Sequence, residues 1–299
     1  MPDNIYTVSA DESNMRVDRF VAIKTKLTHA VICRILREKD IKVNGKRISK
    51  IDHRLAEGDA VMLCRMFKEV ENLAPKTKVT QRMIIDLKNS IFFENEHIIA
   101  INKPHGLATQ SGGGLLYSVD DILRKIDAQY RIVHRLDKET SGLLIVAKTR
   151  KAATNITNAF TNREVQKVYL ACVSPMPKEE SGTISSYIGK TYSKNMHKVA
   201  ILTKEDEDAR MAITDYKVIK KDSSTNCALV EFTPKTGRTH QIRIHANHIN
   251  CPIIGDYRYG GRLDIGRKLN LFAYKMLLPK EICPSWLICN PVPDFFAMQ

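Results

Sequence analysis

The chain has no long apolar run, a single tryptophan, no Cys-x-x-Cys pair and no excess of acid, and each absence closes off a class of protein. No stretch approaches the roughly 18 apolar residues of a spanning helix, and the start Met-Pro-Asp-Asn lacks the basic-then-apolar pattern of a secretory signal. The expectation is therefore a cytoplasmic protein, read as a monomer. Seven cysteines (Cys33, Cys64, Cys172, Cys227, Cys251, Cys283 and Cys289) are odd in number and scattered, which argues against a disulfide framework and against a zinc site. They read as buried thiols. Acid is the scarce charge: 33 Asp plus Glu stand against 47 Lys plus Arg, a net charge of +14 in 299 residues. Such an imbalance favours a polyanionic partner, either nucleic acid or an anionic membrane surface. The lack of a long basic amphipathic helix speaks against the membrane.

The positive charge is concentrated near the start. Between Arg16 and Lys50 lie 11 basic and three acidic residues, an excess of eight. Thr28 is placed to cap a helix through Val31, Ile32, Ile35 and Leu36, whose spacing makes an apolar stripe and turns Arg34, Arg37 and Lys39 toward solvent. Asn44-Gly45 between two short alternating runs predicts a hairpin, and Gly58-Asp59 turns into a closing strand ending near Leu63. Residues 13–70 thus read as a small basic helix-and-hairpin module, 71–82 as a polar linker, and 83–299 as a second domain.

In that second domain strand-like runs recur at Ile98–Ile101, Gly142–Lys148, Lys167–Val173, Met211–Ile219 and Ala228–Phe232. Helical stretches are expected after the capping-box pattern Ser118-Val-Asp-Asp121 and over Lys151–Phe160. Strands dominate without regular alternation, so an α+β domain on a mixed or antiparallel sheet is favoured over a doubly wound one. Gly112-Gly-Gly114 lacks the residues of a phosphate loop and reads as a flexible loop beside the site.

Three segments carry chemistry. Arg131-Ile-Val-His134-Arg135-Leu136-Asp137-Lys138 sets one carboxylate between cations just before a Ser-Gly turn and an apolar strand, an arrangement that keeps an acid ionised and anchored. Gln166-Lys-Val-Tyr169-Leu-Ala171 places a tyrosine in a strand. Thr236-Gly-Arg238-Thr239-His240-Gln-Ile-Arg243-Ile-His245 has a Gly-led turn, Thr239 as a possible cap, and a donor-rich helix start suited to phosphates or a carboxylate. His240, His245 and His248 fit no zinc spacing, and no metal is expected.

Together with Asn102-Lys103-Pro104-His105-Gly106-Leu107, these runs resemble the four motifs of the RluA-type pseudouridine synthases, in the family's order. The module from Met15 to Gly58-Asp59 resembles the S4 RNA-binding domain, and the likeness extends to Gly255-Asp-Tyr-Arg-Tyr-Gly260. The resemblance implies an α+β fold: a mainly antiparallel, mixed-sheet catalytic domain preceded by a small α/β S4 domain. It implies isomerisation of uridines in RNA, most similar to enzymes acting on large-subunit ribosomal RNA, with no cofactor. Asp137 matches the catalytic aspartate, Tyr169 the tyrosine that packs on the base, and Arg243 the arginine paired with the aspartate. Arg135 matches the residue that displaces the base, with His134, Arg238, His240 and Lys103 as further substrate contacts. Arg16, Arg19, Arg34, Arg37, Lys42, Lys46 and Arg47 are the expected RNA contacts of the S4-like module. Whether the carboxylate adds to the base or assists at the sugar stays open. Where many relatives carry Leu-His-Ala, this chain has Leu271-Phe272-Ala273. The competing reading is a noncatalytic RNA-binding or ribosome-assembly protein, which accounts for the basic segment but gives no chemical reason for Asp137, Tyr169 and Arg243 in intact motif contexts.

Overall fold

The computed structural model describes residues 5–25, 27, 29–65, 79–111, 115–193, 196–264 and 267–290. The chain divides into two compact units, Met1–Thr77 and Lys78–Gln299. Among the described residues no helix is long and apolar enough to cross a membrane.

The first unit runs β1 (Ile5–Thr7), α1 (Val17–Thr25), α2 (His29–Arg37), β2 (Ile41–Val43), β3 (Lys46–Ile48) and β4 (Ala60–Leu63), with its sheet in the order β1-β4-β2-β3. Asn44 and Gly45 both take positive φ, 49° and 77°, as a two-residue hairpin turn with the right-handed twist of its strands requires. Ile32, Ile35 and Leu36 of α2 are buried against Phe20, Val21 and Ile41, while Arg34, Arg37 and Lys39 are exposed. The unit begins earlier than the expected boundary at residue 13, because β1 pairs with β4 and Val8 enters the core. Three residues are too few to show a period. The expected cap Thr28, residues 71–78 of the expected linker and the loop Gly112–Gly114 lie outside the described residues.

The second unit runs α3 (Gln81–Asn89), β5 (Ile91–Glu94), β6 (Ile98–Lys103), α4 (Val119–Ile126), β7 (Arg131–Ile132), β8 (Ser141–Ala147), α5 (Arg150–Thr161), β9 (Gln166–Val173), β10 (Ser181–Ser193), β11 (Met196–Leu202), β12 (Arg210–Asp222), β13 (Cys227–Pro234), α6 (Gln241–His248), β14 (Leu271–Leu277) and β15 (Leu287–Ile288). Residues 81 and 82, expected in the linker, already belong to α3, whose first turn is capped by the Thr80 hydroxyl. Ser118 caps α4 as expected, but the Asp121 side chain meets the Ser118 hydroxyl at 2.7 Å rather than closing a reciprocal box on its backbone.

One sheet of 11 strands organises this unit, in the order β11-β10-β12-β13-β9-β14-β8-β6-β5, with β15 on β14 and β7 on β8. The pairings are antiparallel except β14 with β8. That parallel seam explains Gly142: it takes φ 103°, and a Cβ there would collide with the Ala273 carbonyl on β14. Two apolar clusters form along the sheet. One packs β6 and β8 against α4 and α5 through Ile99, Ile101, Leu123, Leu144 and Ile156; the other packs β9 and β13 against α6 through Val230, Phe232, Ile242 and Ala246.

Candidate active site

A cleft of about 520 Å³ opens in the second unit where Val133–Thr140, the end of α5, β9 and the segment Pro234–Arg243 meet. Asp137 lines it from the turn that leads into β8, a turn closed by the Thr140 N–H donating to the Asp137 carbonyl at 3.1 Å. Both neighbours of Asp137 are gripped by the segment after β6. The Leu136 N–H donates to the Thr109 hydroxyl oxygen at 3.1 Å, and that hydroxyl donates to the Leu136 carbonyl at 2.8 Å. On the other side the Lys138 carbonyl accepts from the Gly106 N–H at 2.9 Å and from Lys103 Nζ at 3.2 Å. With backbone groups tied on both sides, the carboxylate projects from a fixed origin.

Tyr169 faces the same cleft from the middle of the sheet, its strand held by β13 through Phe232 and by β14 through Ala273. Burial, and then the negative charge of Asp137, push its phenol well above the usual tyrosine value, so it stays protonated. His240 stands just before α6 with left-handed backbone, φ 56°, its Nε2 at 3.7 Å from Asp137 Oδ2 and its Nδ1 at 2.8 Å from the Tyr259 hydroxyl. Burial lowers its pKa, against the pull of the Asp137 charge. The strained conformation is held by Gln241, whose amide oxygen accepts from the Arg238 N–H at 3.0 Å and the Thr236 hydroxyl at 2.7 Å, and whose amide nitrogen donates to the Ile213 carbonyl at 2.9 Å and Thr214 Oγ1 at 2.8 Å.

Several expectations need correction. Arg243 lines the cleft and lies within the electrostatic reach of Asp137, but its fork closes on Asp256: Nε to Oδ2 at 2.8 Å and Nη2 to Oδ1 at 2.6 Å. Both side chains are buried, and Tyr259 lies under the guanidinium at 5.1 Å. Burial opposes the charge on Arg243, and the Asp256 contact restores it and raises the pKa. Asp256 sits in the Gly255–Gly260 run, yet nothing local to that run marks it as the partner of a residue 13 positions earlier. Lys103 does not reach the cleft. It is fully buried, donating to the carbonyls of Pro104 at 2.9 Å and Leu107 at 2.7 Å as well as Lys138, and burial brings its pKa down to about 8. An apolar strand ending in lysine does not reveal that its ammonium will fold back onto three carbonyls.

His134 borders the cleft, but its Nε2 accepts the Ile145 N–H at 2.9 Å and its ring lies on Phe160 at 5.1 Å. Burial takes its pKa down to about 3, so it contributes no charge. Arg135 and Lys138, expected to flank Asp137 with charge, are exposed and make no ion pair with it among the described residues. Arg135 does line the cleft, as does Arg238, whose Nε donates to the Met211 carbonyl at 3.1 Å. Thr239 is not the helix cap; His240 holds that position, with no side-chain bond to the helix. Among the described residues no group of three His, Cys, Asp or Glu could hold a metal: His245 divides its nitrogens between Ser186 and Thr214, and His248 is exposed. Thr109, Asp256, Arg163 and Lys167 were not among the expected site residues. Only Asp256 and Lys167 fell inside runs that had attracted attention.

In the first unit Arg19, Arg34, Arg37, Lys46 and Arg47 are exposed and Lys42 is half-buried. Arg16 differs, since its guanidinium is forked onto Asp18 at 2.8 and 3.0 Å.

A sheet-borne cleft with an anchored carboxylate beside a protonated tyrosine and a basic lining suits proton-transfer or nucleophilic chemistry on an anionic substrate. Comparison with known proteins gives the family. A family model described as RNA pseudouridylate synthase matches residues 97–248. A curated relative from Rickettsia prowazekii (strain Madrid E), named ribosomal large subunit pseudouridine synthase C, is 36% identical over 83% of this chain and 82% of its own. Another of that name, from Buchnera aphidicola subsp. Schizaphis graminum (strain Sg), is 34% identical over 92% of this chain and 87% of its own. The solved structure of human RNA pseudouridylate synthase domain containing 1 is 29% identical with a TM-score of 0.58, covering 68% of this chain and 83% of the human one. The chain belongs to the RNA pseudouridylate synthase family and is an isomerase that converts uridine in RNA to pseudouridine.

Proposed function

We propose that the chain isomerises specific uridines of large-subunit ribosomal RNA, with Asp137 as the catalytic carboxylate and the first unit serving as an S4-like RNA-binding domain. The observation that carries the site assignment is that Asp137 is the one carboxylate among the described residues lining the cleft, with its backbone tied on both sides. The reaction breaks the bond from ribose C1′ to N1, turns the freed base and joins C1′ to C5. N1 gains a proton and C5 loses one, so no redox group is needed. Asp137 acts either on the base at C6 or at the sugar, and both routes require its anion. His240, at 3.7 Å, and the nearby Arg243 flank that carboxylate on the α6 side.

Tyr169, held as a phenol, offers a ring face for the uracil and a donor near the sugar, and is unsuited to act as a phenolate base. A base extruded from its stack costs a few kcal/mol, which the exposed Arg135 at the cleft would offset by filling the vacated space. The names of the curated relatives support ribosomal RNA as substrate, and the basic residues of the first unit support a separate RNA contact.

The test uses large-subunit ribosomal RNA transcripts labelled with tritium at uridine C5. Wild type should release tritium and Asp137→Asn should not. Release by the variant within tenfold of wild type would overturn the assignment, and equal release from unrelated RNA would overturn the substrate.

A further inference from the structure

Six Lys or Arg side chains line the cleft against one carboxylate, and their partners differ. Arg243 is forked onto Asp256, Lys235 pairs with Asp215 at 2.9 Å, and Arg238 donates to the Met211 carbonyl. Arg135 is exposed at the rim. That leaves Arg163 and Lys167, on the wall where α5 ends and β9 begins.

Lys167 is partly buried on β9, opposite Met276 of β14, and its Nζ has no hydrogen-bond or ion-pair partner among the described residues. The ammonium lies over the Phe160 ring at 5.8 Å. The Pro234–Arg243 segment comes close to it at Gly237, where a Cβ would meet that nitrogen at an ordinary contact distance of 3.6 Å. Neighbouring His134 is neutral because burial disfavours its charged form, with the Lys167 charge adding to the effect, so it supplies no anion or cation of its own. An ammonium removed from water with no anion beside it is costly for the empty protein, and that cost is relieved when the ligand brings the charge. Arg163 carries a second cost on the same wall. It occupies a left-handed position, φ 62°, just after α5, where glycine is the favoured residue, and its guanidinium is exposed toward the cleft with no partner among the described residues.

Resting on the pseudouridine synthase reading, we propose that Lys167 and Arg163 form a phosphate subsite for the RNA strand next to the target uridine. Lys167 binds the phosphate at the cleft floor, and Arg163 binds the strand where it leaves. The subsite is built on the α5–β9 wall, facing Gly237 of the segment that carries Arg238 and His240.

The experiment uses the full chain and a short ribosomal RNA stem-loop containing the target uridine, with single methylphosphonates replacing each flanking phosphate in turn. Lys167→Met should weaken binding about tenfold and lower the slope of log affinity against log salt by about 0.7–0.9, the loss of one phosphate contact. One methylphosphonate position should cost wild type a similar factor and cost Lys167→Met nothing more, because the two changes remove the same contact. Lys167→Arg should restore most of the binding. Arg163→Gly should weaken binding while raising Tm, a combination that a merely structural arginine would not give. An unchanged salt slope, or methylphosphonate effects that are the same in wild type and Lys167→Met at every position, overturns the proposal. If Lys167→Met does not fold, the Arg163→Gly pair of readouts decides it alone. Tritium release measured beside these keeps the two readings apart: a wild type that binds but never releases tritium fails as a synthase, while the phosphate cycle still judges the subsite.

Discussion

One arginine–aspartate fork in each unit makes the comparison. Arg16 meets Asp18 at 2.8 and 3.0 Å in the first, and Arg243 meets Asp256 at 2.6 and 2.8 Å in the second. Their surroundings make them unlike. The Arg16 side chain is 41% exposed, so water screens the pair and takes over when it breaks. The Arg243 and Asp256 side chains are 4% and 0% exposed, so the loss of either partner leaves a charge with no water to accept it. The difference holds for the cations of the two units generally. Those of the first unit are mostly at the surface, where water screens them and their exact position matters little. Around the cleft Arg243, Lys235 and Arg238 are tied to named acceptors, and even Lys103 is spent on three carbonyls. Under the proposed function, charge at the surface of the first unit gathers RNA, and charge held in a frame around the cleft fixes where one carboxylate points.

The largest expected effect is at the frame's centre. Asp137→Asn should lower single-turnover activity by at least about 10³-fold while leaving RNA affinity within about twofold and Tm unchanged, since the amide keeps the shape and loses only the anion. Circular dichroism melts and filter binding on the same preparation check both halves. A parallel loss of affinity would mean that Asp137 helps to hold RNA.

Next come the two forks. Asp256→Asn should destabilise the protein by roughly 3 kcal/mol, read by urea unfolding, because it strands a buried guanidinium. Arg16→Ala should cost less than about 1 kcal/mol. Equal costs would erase the contrast between the units. Arg243→Lys keeps the charge but not the planar fork, and should reduce turnover more than RNA affinity.

A smaller effect is set by pH. Burial holds His134 at about 3 and His245 at about 4, both below the ordinary histidine value of 6.5. The unfolded chain therefore takes up protons that the folded one refuses. Stability should be full above about pH 6.5 and fall as pH drops toward 4, by about 1.4 kcal/mol per pH unit for each histidine. Urea midpoints across that range measure the slope, and replacing His245 should reduce it by one histidine's share, ~1.4 kcal/mol per pH unit.

The smallest expected change is in the first unit. Arg34→Gln with Arg37→Gln should leave stability within about 0.5 kcal/mol and lower RNA affinity a few-fold, with a shallower salt slope. A steep loss of turnover at saturating enzyme would show that these surface charges help to build the active complex.

Much of this was written locally in the sequence. Asn44-Gly45 dictates its hairpin because only residues tolerant of positive φ close a two-residue turn, and the spacing of Ile32, Ile35 and Leu36 dictates which face of α2 is buried. The strands through Ile98, Leu144, Tyr169 and Val230 announce themselves as apolar runs, and the Asp137 turn is marked by Thr140-Ser141-Gly142. Composition alone set the sign of the partner's charge. What the sequence could not decide was who pairs with whom. Arg243 takes Asp256, not Asp137, because the turn after α6 brings that carboxylate, already fixed by the N–H groups of Arg258 and Tyr259, against the helix. Lys103 turns inward because the Asp137 loop adds the Lys138 carbonyl to those of Pro104 and Leu107, and Gly142 is required by Ala273, 131 residues later in the chain. A period or a turn costs only neighbouring residues their freedom and so is legible in their order. A buried partner is chosen by which elements the whole sheet brings together, and no local stretch of the chain contains that choice.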